Sequence, residues 1–203
     1  IKYAEQLGYR IKLLGIARRR DNGVELRTHP TLVPMKRLIA NVEGAMNAVL
    51  VQGDAVGTTM YYGKGAGSEP TASAVVADLV DIARQIAAPA ASRVPALAFQ
   101  PDALSTLPVL PLDQVTTSFY LRLRVADKAG VLAKITGILA EQGISIDAVI
   151  QREADEVSEG SQTDLIILTH ETVEGRMNSA IAAMQALPTV LAPIVKLRKE
   201  ELA

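Results

Sequence analysis

The most regular hydrophobic pattern lies in the second half of the chain. Apolar residues alternate with polar ones from Phe119 to Val125, which is typical of a half-buried strand. In order, the predicted elements are a strand at 119–125, a helix at 131–139, strands at 144–152 and 162–169, a helix at 173–184 and a strand at 190–199. This βαββαβ order predicts a ferredoxin-like fold, with the acidic stretch 153–160 as a solvated hairpin loop.

The first half has the pattern of two hairpins followed by a helix. Residues 9–20 and 24–29 flank the turn Asp21-Asn22-Gly23, and Asn-Gly is a strong hairpin signal. A second hairpin is predicted at 47–62, and apolar residues then recur at helical spacing up to Ile86. Pro70 suits the first position of this helix, with Ser68 or Glu69 as its cap. The fold class expected for the chain is therefore α+β: a mostly antiparallel sheet with covering helices, followed by the βαββαβ unit.

A proline-rich arm separates these two halves. Residues 89–111 hold five of the ten prolines, which lack an N–H donor and interrupt regular elements. We therefore expect a first domain at 1–88, a linker at 89–115 and a second domain at 116–203. Because the chain starts at Ile1, in the middle of an element, we expect it to be a piece of a longer protein.

Composition narrows the classes of function. The 203 residues are 49% hydrophobic with a formal net charge of −1, which is typical of a globular protein and argues against nucleic-acid binding. Cysteine is absent and the two histidines lie far apart, so no disulfide and no metal site is expected. This composition also fits a reducing compartment such as the cytoplasm. No apolar run reaches membrane-spanning length, so no membrane partner is expected.

The segment Gly63-Lys64-Gly65-Ala66-Gly67, here called the glycine turn, is the first candidate for chemistry. Glycines between a strand and a helix let backbone N–H groups approach a phosphate or a cofactor ring closely. The spacing fits neither the P-loop nor the dinucleotide fingerprint, and a plain tight turn is the alternative. The neighbouring Tyr61, Tyr62, Lys64 and Glu69 could line a pocket or be ordinary surface groups.

Residues 127–130, here called the Asp127 loop, are the second candidate. Exposed N–H groups at the following helix start could receive a carboxylate, and Asp127 could hold an ammonium, which together suit a free amino acid. The alternative is that Asp127 only caps the helix and Gly130 only relieves the turn. Elsewhere, His29 is expected to be a hydrogen-bonded structural residue, and Arg18-Arg19-Arg20 a solvated strand end.

Two sets of motifs resemble known families. The second half resembles an ACT domain in Asp127-Lys128-Ala129-Gly130-Val131-Leu132 and Gly143-Ile144-Ser145-Ile146-Asp147. The first half resembles the C-terminal part of the catalytic domain of the homoserine dehydrogenase family. The segments that carry this likeness are residues 27–34, 47–54 and above all 63–78, from Gly63-Lys64-Gly65 through Pro70-Thr71-Ala72-Ser73 to Asp78.

The second resemblance implies NAD(P)-dependent interconversion of aspartate semialdehyde and homoserine, on the route to threonine and methionine. It implies that NADP or NAD contacts Gly65, Ala66 and Gly67, and that the Rossmann segment and the catalytic lysine lie upstream of Ile1. No catalytic residue is therefore expected in this chain, and the chain alone is expected to be inactive.

The ACT resemblance implies feedback inhibition by threonine and a homo-oligomer formed through the ACT domain and the catalytic-domain sheet. The effector-binding positions that match the motif are Asp127, Gly130, Val131, Leu132, Ser145, Ile146 and Gln151, from the same or a neighbouring subunit. The rival hypothesis is a non-catalytic amino-acid-sensing ACT module whose first half is only a dimerisation scaffold.

Overall fold

The computed structural model describes residues 1–89, 92–94, 99–151 and 161–202, and these form two compact units. We call residues 1–40 with 108–202 the sheet unit and residues 41–107 the hairpin–helix unit. The sheet unit contains α1 (Lys2–Gln6), β1 (Tyr9–Arg20), β2 (Gly23–Pro34), β5 (Thr116–Ala126), α3 (Val131–Glu141), β6 (Ile146–Gln151), β7 (Gln162–Thr169), β8 (Thr172–Val173), α4 (Glu174–Gln185) and β9 (Val195–Lys199). The hairpin–helix unit contains β3 (Met46–Gly53), β4 (Gly57–Lys64) and α2 (Ser68–Ala87).

One sheet runs through the sheet unit in the order β1-β2-β9-β5-β7-β6, with β8 paired to β5. Strands β5, β6, β7 and β9 with α3 and α4 have the predicted βαββαβ order, and the two-residue strand β8 is an addition before α4. The ferredoxin-like prediction is thus confirmed for this part of the chain. The core on the helix side is built from alternate residues of β5 and β7 and from the apolar faces of the two helices. Its fully buried members include Phe119, Leu121, Leu123, Ile135, Leu139, Met177 and Met184.

The opposite face of this sheet carries a smaller core. Ala4 of the short helix α1 packs there with Leu32, Tyr120, Ile166 and Leu168. The Tyr3 hydroxyl donates to the Asp164 carboxylate at 3.0 Å, which fixes α1 against β7. Residues from the first ten positions therefore complete a core whose other buried members are Leu32 of β2 and residues beyond position 119.

The hairpin β1–β2 extends the same sheet. Its two strands pair over the whole length from Tyr9–Pro34 to Arg20–Gly23. β2 runs five residues beyond the predicted His29, because Thr31 and Leu32 pair with β9 in parallel and keep the strand extended. The end of the proline arm also contacts this hairpin, since the Val24 N–H donates to the Pro108 carbonyl and the Leu110 N–H to the Val24 carbonyl, both at 2.9 Å.

The compact units group the elements differently from the predicted division at 1–88, 89–115 and 116–203, which stays a prediction. Residues 1–40 belong to the sheet unit because their hairpin joins its sheet. The last strand begins at Val195, five residues later than predicted, and Val190 makes only an isolated bridge to Val125. The predicted acidic loop at 153–160 lies outside the described residues.

In the hairpin–helix unit, β3 and β4 pair in antiparallel register from Met46–Lys64 to Gly53–Gly57, as the second predicted hairpin requires. The 20-residue helix α2 follows. None of the described residues between 41 and 107 is buried. The apolar face of α2 is exposed, including Val75, Leu79 and Ile82 at 53%, 61% and 53%.

Candidate functional site

The glycine turn ends β4 and begins α2 with a backbone that only glycine adopts readily. Gly67 is the N-cap of α2 with φ 132° and ψ 154°, and a Cβ there would lie 3.2 Å from Pro70 Cδ. The predicted capping by Ser68 or Glu69 is therefore wrong, and Pro70 is the third helical residue. Proline is tolerated there because N–H groups of the first turn have no intrahelical partner.

A cavity of about 500 Å³ lies at this end of α2. It is lined by Ala45, Lys64, Ala66, Gly67, Ser68, Glu69, Pro70 and Ser73. Ala66 and Gly67 are thus brought to one cavity, whereas Gly65 lies against Asn47, whose Nδ2 would be only 2.2 Å from an added Cβ. The N–H groups of Ser68 and Glu69 belong to the first helical turn, so the cavity adjoins backbone donors at the positive end of α2.

Of the four side chains around the glycine turn, two fit the interpretation as pocket lining and two fit the interpretation as ordinary surface groups. Lys64 and Glu69 line the cavity, while Tyr61 and Tyr62 are 68% and 57% exposed. The cavity therefore carries one cationic and one anionic side chain close to the helix start. Such a surface can hold a polar planar group against small residues, with charges of both signs at its edge.

The Asp127 loop forms a second cavity, of about 270 Å³, in the sheet unit. Gly130 is the N-cap of α3 in the left-handed region, with φ 86° and ψ −8°, and the helix start has no side-chain cap hydrogen bond. The alternative in which Asp127 caps the helix is therefore wrong. The lining residues are Val125, Ala126, Asp127, Lys128, Ala129, Gly130, Val131, Leu132, Gln151 and Leu165.

Five of the seven predicted effector positions meet in this cavity: Asp127, Gly130, Val131, Leu132 and Gln151. Asp127 is exposed and its N–H donates to the Ser161 carbonyl at 2.9 Å, which fixes the loop. The Asp127 carboxylate, the Lys128 ammonium and first-turn N–H groups of α3 are therefore available at the same cavity. This set of donors and acceptors suits a small zwitterion.

Ser145 and Ile146 lie at the other end of β6 from Gln151. Five residues of strand separate Ile146 from Gln151, which is about 16 Å. Within one chain the structure therefore does not bring these two residues to the cavity. Ser145 is exposed, and its carbonyl accepts from the His170 N–H at 3.0 Å.

The basic and histidine positions of the hairpin β1–β2 have structural partners. His29 is buried and lies 3.0 Å from the Thr31 hydroxyl, so the prediction of a hydrogen-bonded structural histidine is confirmed. Burial lowers the pKa of His29, with nearby Arg198 acting in the same direction. The arginine run ends β1 as predicted, and its side chains are exposed or half-exposed. Two of them also have charged partners that the sequence did not predict, since Arg18 pairs with Glu200 at 3.0 Å and Arg20 with Glu25 at 2.7 Å.

Comparisons with known proteins match both halves of the chain. Residues 1–80 match the family model for homoserine dehydrogenase, and residues 119–188 match the model for the ACT domain. Homoserine dehydrogenases of Pseudomonas aeruginosa and Neisseria gonorrhoeae are each 54% identical over 202 residues, covering 100% of this chain and 46% of the relative. The chain thus contains a homoserine dehydrogenase segment and an ACT domain. It spans less than half the length of these curated relatives.

Solved structures agree with this assignment. A homoserine dehydrogenase from Thiobacillus denitrificans is 60% identical to this chain, with a TM-score of 0.90. The match covers 100% of this chain and 45% of that one. The homoserine dehydrogenase of S. aureus is 26% identical with a TM-score of 0.58, covering 100% of this chain and 45% of that one. The two resemblances inferred from the motifs and the α+β fold class are thus confirmed.

Sequence reasoning missed part of the cavity in the homoserine dehydrogenase segment. Ala45 precedes β3 and carries no sequence signal of its own, whereas Ser73 lies in the 63–78 motif but was not predicted to line a cavity. In the ACT domain, Leu165 lines the second cavity and was also missed. Leu165 could have been found from the predicted pairing of two strands, since it is the register partner of Gln151.

Among the residues that the structure describes, no group of three or more histidine, aspartate or glutamate side chains could hold a metal ion. In the same part of the chain, no helix combines the length and apolar character needed to cross a membrane.

Proposed function

We propose that the full-length protein catalyses the NAD(P)-dependent interconversion of L-aspartate 4-semialdehyde and L-homoserine in threonine and methionine biosynthesis. The likeness of the whole chain to enzymes named homoserine dehydrogenase, at 54% identity, supports this activity. Because the chain spans 46% of those relatives, we assign the Rossmann segment and the catalytic lysine to the remaining length. The chain by itself is then inactive, and Lys64 is not the catalytic lysine.

The observation that carries the cofactor assignment is the glycine-only conformation of Gly67 beside the cavity at the start of α2. We propose that Gly65, Ala66 and Gly67 form the surface against which the nicotinamide part of NADP or NAD lies. Small residues allow close approach of the ring, and the N–H groups of Ser68 and Glu69 can donate to a carboxamide oxygen. When bound, the nicotinamide supplies or accepts the hydride.

Substitution of Gly67 in a full-length protein that carries this chain tests the cofactor site. Gly67→Ala is expected to weaken NADPH binding by at least about ten-fold, because the added methyl group strains a glycine-only backbone and intrudes beside Pro70. Gly57→Ala is the matched control, since Gly57 also has a positive φ (73°) but lies in the β3–β4 turn with open space around it. Binding is measured by quenching of NADPH fluorescence. Equal weakening by both variants would contradict the assignment.

We further propose that the ACT domain binds threonine as a feedback inhibitor. Asp127 would pair with the amino group, first-turn N–H groups beyond Gly130 would receive the carboxylate, and Val131, Leu132 and Gln151 would contact the side chain. The convergence of these positions on one cavity supports the proposal. Ser145 and Ile146 would contribute from a second copy, since they lie about 16 Å along β6 from Gln151.

This arrangement requires a homo-oligomer, which we propose forms through the ACT domain and the catalytic-domain sheet. The expected location of the enzyme is the cytoplasm.

Titration of L-threonine into the 203-residue chain in a calorimeter tests the effector site. Asp127→Ala is expected to reduce the affinity by about ten-fold or more, because it removes the counter-charge of the ammonium group. Asp54→Ala in the β3–β4 turn is the control and should bind as the unchanged chain does. Full threonine affinity in Asp127→Ala would exclude this residue as a contact, and no heat with any variant would exclude threonine.

A further inference from the structure

The joint between the hairpin β1–β2 and the rest of the sheet has little backbone pairing. β2 meets β9 through two residue pairs, Thr31–Arg198 and Leu32–Lys199, and the Glu200 N–H then donates to the Leu32 carbonyl at 3.0 Å. By contrast, β1 and β2 pair over twelve positions. Each net hydrogen bond contributes only about 1 kcal/mol, so side chains at this joint decide how firmly the hairpin follows the ACT sheet.

Glu200 joins three strands on the helix side of the sheet. Its carboxylate is 4% exposed and accepts hydrogen bonds from Arg27 Nη1 at 2.7 Å, Arg18 Nη2 at 3.0 Å and Thr117 Oγ1 at 3.1 Å. These donors belong to β2, β1 and β5 in turn. A buried carboxylate is stable only while such partners surround it, so a movement of β9 at this point is transmitted to both strands of the hairpin.

Lys199 acts on the opposite face, because successive residues of an extended chain point to opposite sides. Its Nζ donates to Asp147 Oδ2 at 3.2 Å and lies 5.9 Å from the centroid of the Tyr9 ring, at the start of β1. Asp147 directly follows Ser145 and Ile146, and the β6–β7 register shifts between Ile146 and Ala148. The start of β6 is thus connected through one lysine to the hairpin.

We propose that Lys199 and Glu200 form the element that couples the start of β6 in the ACT domain to the hairpin β1–β2 of the catalytic segment. This inference rests on the proposed function, in which threonine contacts Ser145 and Ile146. An effector can shift an equilibrium only through different contacts in two states. A displacement at Ser145 and Ile146 moves Asp147, which in turn moves Lys199. The adjacent Glu200 then transmits the movement to the arginines of the hairpin. Lys199, Glu200 and Asp147 are positioning residues in this scheme.

Hydrogen–deuterium exchange of the 203-residue chain, with and without L-threonine, tests the coupling. Asp147→Asn removes the charge at the start of β6 and keeps the shape of the side chain. Threonine is expected to protect amides at 125–132 equally in the variant and the unchanged chain. The threonine-dependent change in amides 9–34 is expected to fall by at least about five-fold in the variant. A purely structural role would alter exchange without threonine but leave the threonine-dependent change intact.

Asp164→Asn is the control for the loss of a charge pair on the same sheet, because Asp164 pairs with Arg124 at the same 3.2 Å and the substitution leaves the contacts of Lys199 and Glu200 in place. The amide oxygen of the variant side chain can still accept from the Tyr3 hydroxyl, which keeps α1 in place. Glu200→Gln provides a second variant with the same expected loss; if it fails to fold, Asp147→Asn decides alone. If Asp147→Asn keeps the threonine-dependent protection at 125–132 and also the full threonine-dependent change at 9–34, only the coupling is overturned. If threonine protects no amide at 125–132 in the chain without a substitution, the effector assignment is overturned instead.

Discussion

The sheet unit and the hairpin–helix unit use similar elements with opposite outcomes for burial. Both contain a β-hairpin and an amphipathic helix. In the sheet unit, the 11-residue helix α3 buries Val131, Ile135 and Leu139, whereas the 20-residue helix α2 buries none of its described residues. An apolar helix face therefore predicts a helix, but it does not say whether the same chain supplies the surface that covers it.

The difference has a consequence for stability. A two-stranded hairpin is at best marginally stable in water, and a helix in a protein gains most of its stability from tertiary packing of its apolar face. The sheet unit adds a large core to its secondary structure, but none of the described residues of the hairpin–helix unit is buried. Its elements are therefore expected to open far more readily than those of the sheet unit.

Amide hydrogen exchange should show the largest contrast between the units. Amides of α3 and β5 are expected to exchange about a thousand-fold or more slowly than those of α2, because opening them requires loss of the buried core. The measurement is exchange of the intact chain followed by mass spectrometry or NMR. Because α2 and α3 are both helices, a difference between them cannot come from the type of secondary structure. Equal protection of α2 at high dilution would mean that its apolar face is covered within the chain.

Matched leucine truncations test the same contrast by equilibrium unfolding. Leu123→Ala in β5 removes a side chain that is 0% exposed and should lower the free energy of unfolding by about 2–5 kcal/mol. Leu79→Ala in α2 removes one that is 61% exposed and should change it by less than about 0.5 kcal/mol.

Urea unfolding monitored by circular dichroism provides both values, and the slope with urea must stay constant for the comparison to hold. A loss above about 2 kcal/mol for Leu79→Ala would show that the face of α2 is packed.

Within the sheet unit, the sequence predicted one part of the fold and not another. The ferredoxin-like order followed from alternation in β5 and from helical spacing in α3 and α4, because these patterns arise from local burial on one face. That residues 1–40 join the same sheet could not be predicted, since the joint depends on two parallel residue pairs between distant segments. Parallel pairing leaves no turn residue at the joint to mark it.

The candidate sites show the same limit. The glycine turn and the Asp127 loop were visible because glycines with positive φ, such as Gly67 and Gly130, stand at helix starts. The pairing of Arg18 with Glu200 was not visible, because the two residues are 182 positions apart and neither lies in a motif. The separation of Ser145 from Gln151, by contrast, already follows from the predicted strand at 144–152, and β6 confirms it.

The smallest expected effect concerns two glutamates, one in the first turn of a helix in each unit. Glu174 begins α4 in the sheet unit and is 3% exposed, while Glu69 is an exposed residue in the first turn of α2. The Glu174 carboxylate accepts from Lys196 Nζ at 2.9 Å and from Arg198 Nε at 2.7 Å. Burial alone would raise the pKa of Glu174, but the hydrogen bonds from Arg198 and Lys196 outweigh it and lower the pKa below its ordinary 4.5.

Because the folded pKa of Glu174 lies below the unfolded value, its contribution to the free energy of unfolding is complete above about pH 4.5 and is lost as the pH falls through the folded value. Glu174→Gln should therefore cost roughly 1–3 kcal/mol at pH 7, and this difference should shrink steadily in urea unfolding at pH 4 and below. Glu69→Gln also lies in a first helical turn and should stay within about 0.5 kcal/mol at every pH. A difference for Glu174→Gln that does not change with pH would mean that lost packing, rather than the charge pairs with Arg198 and Lys196, accounts for the cost.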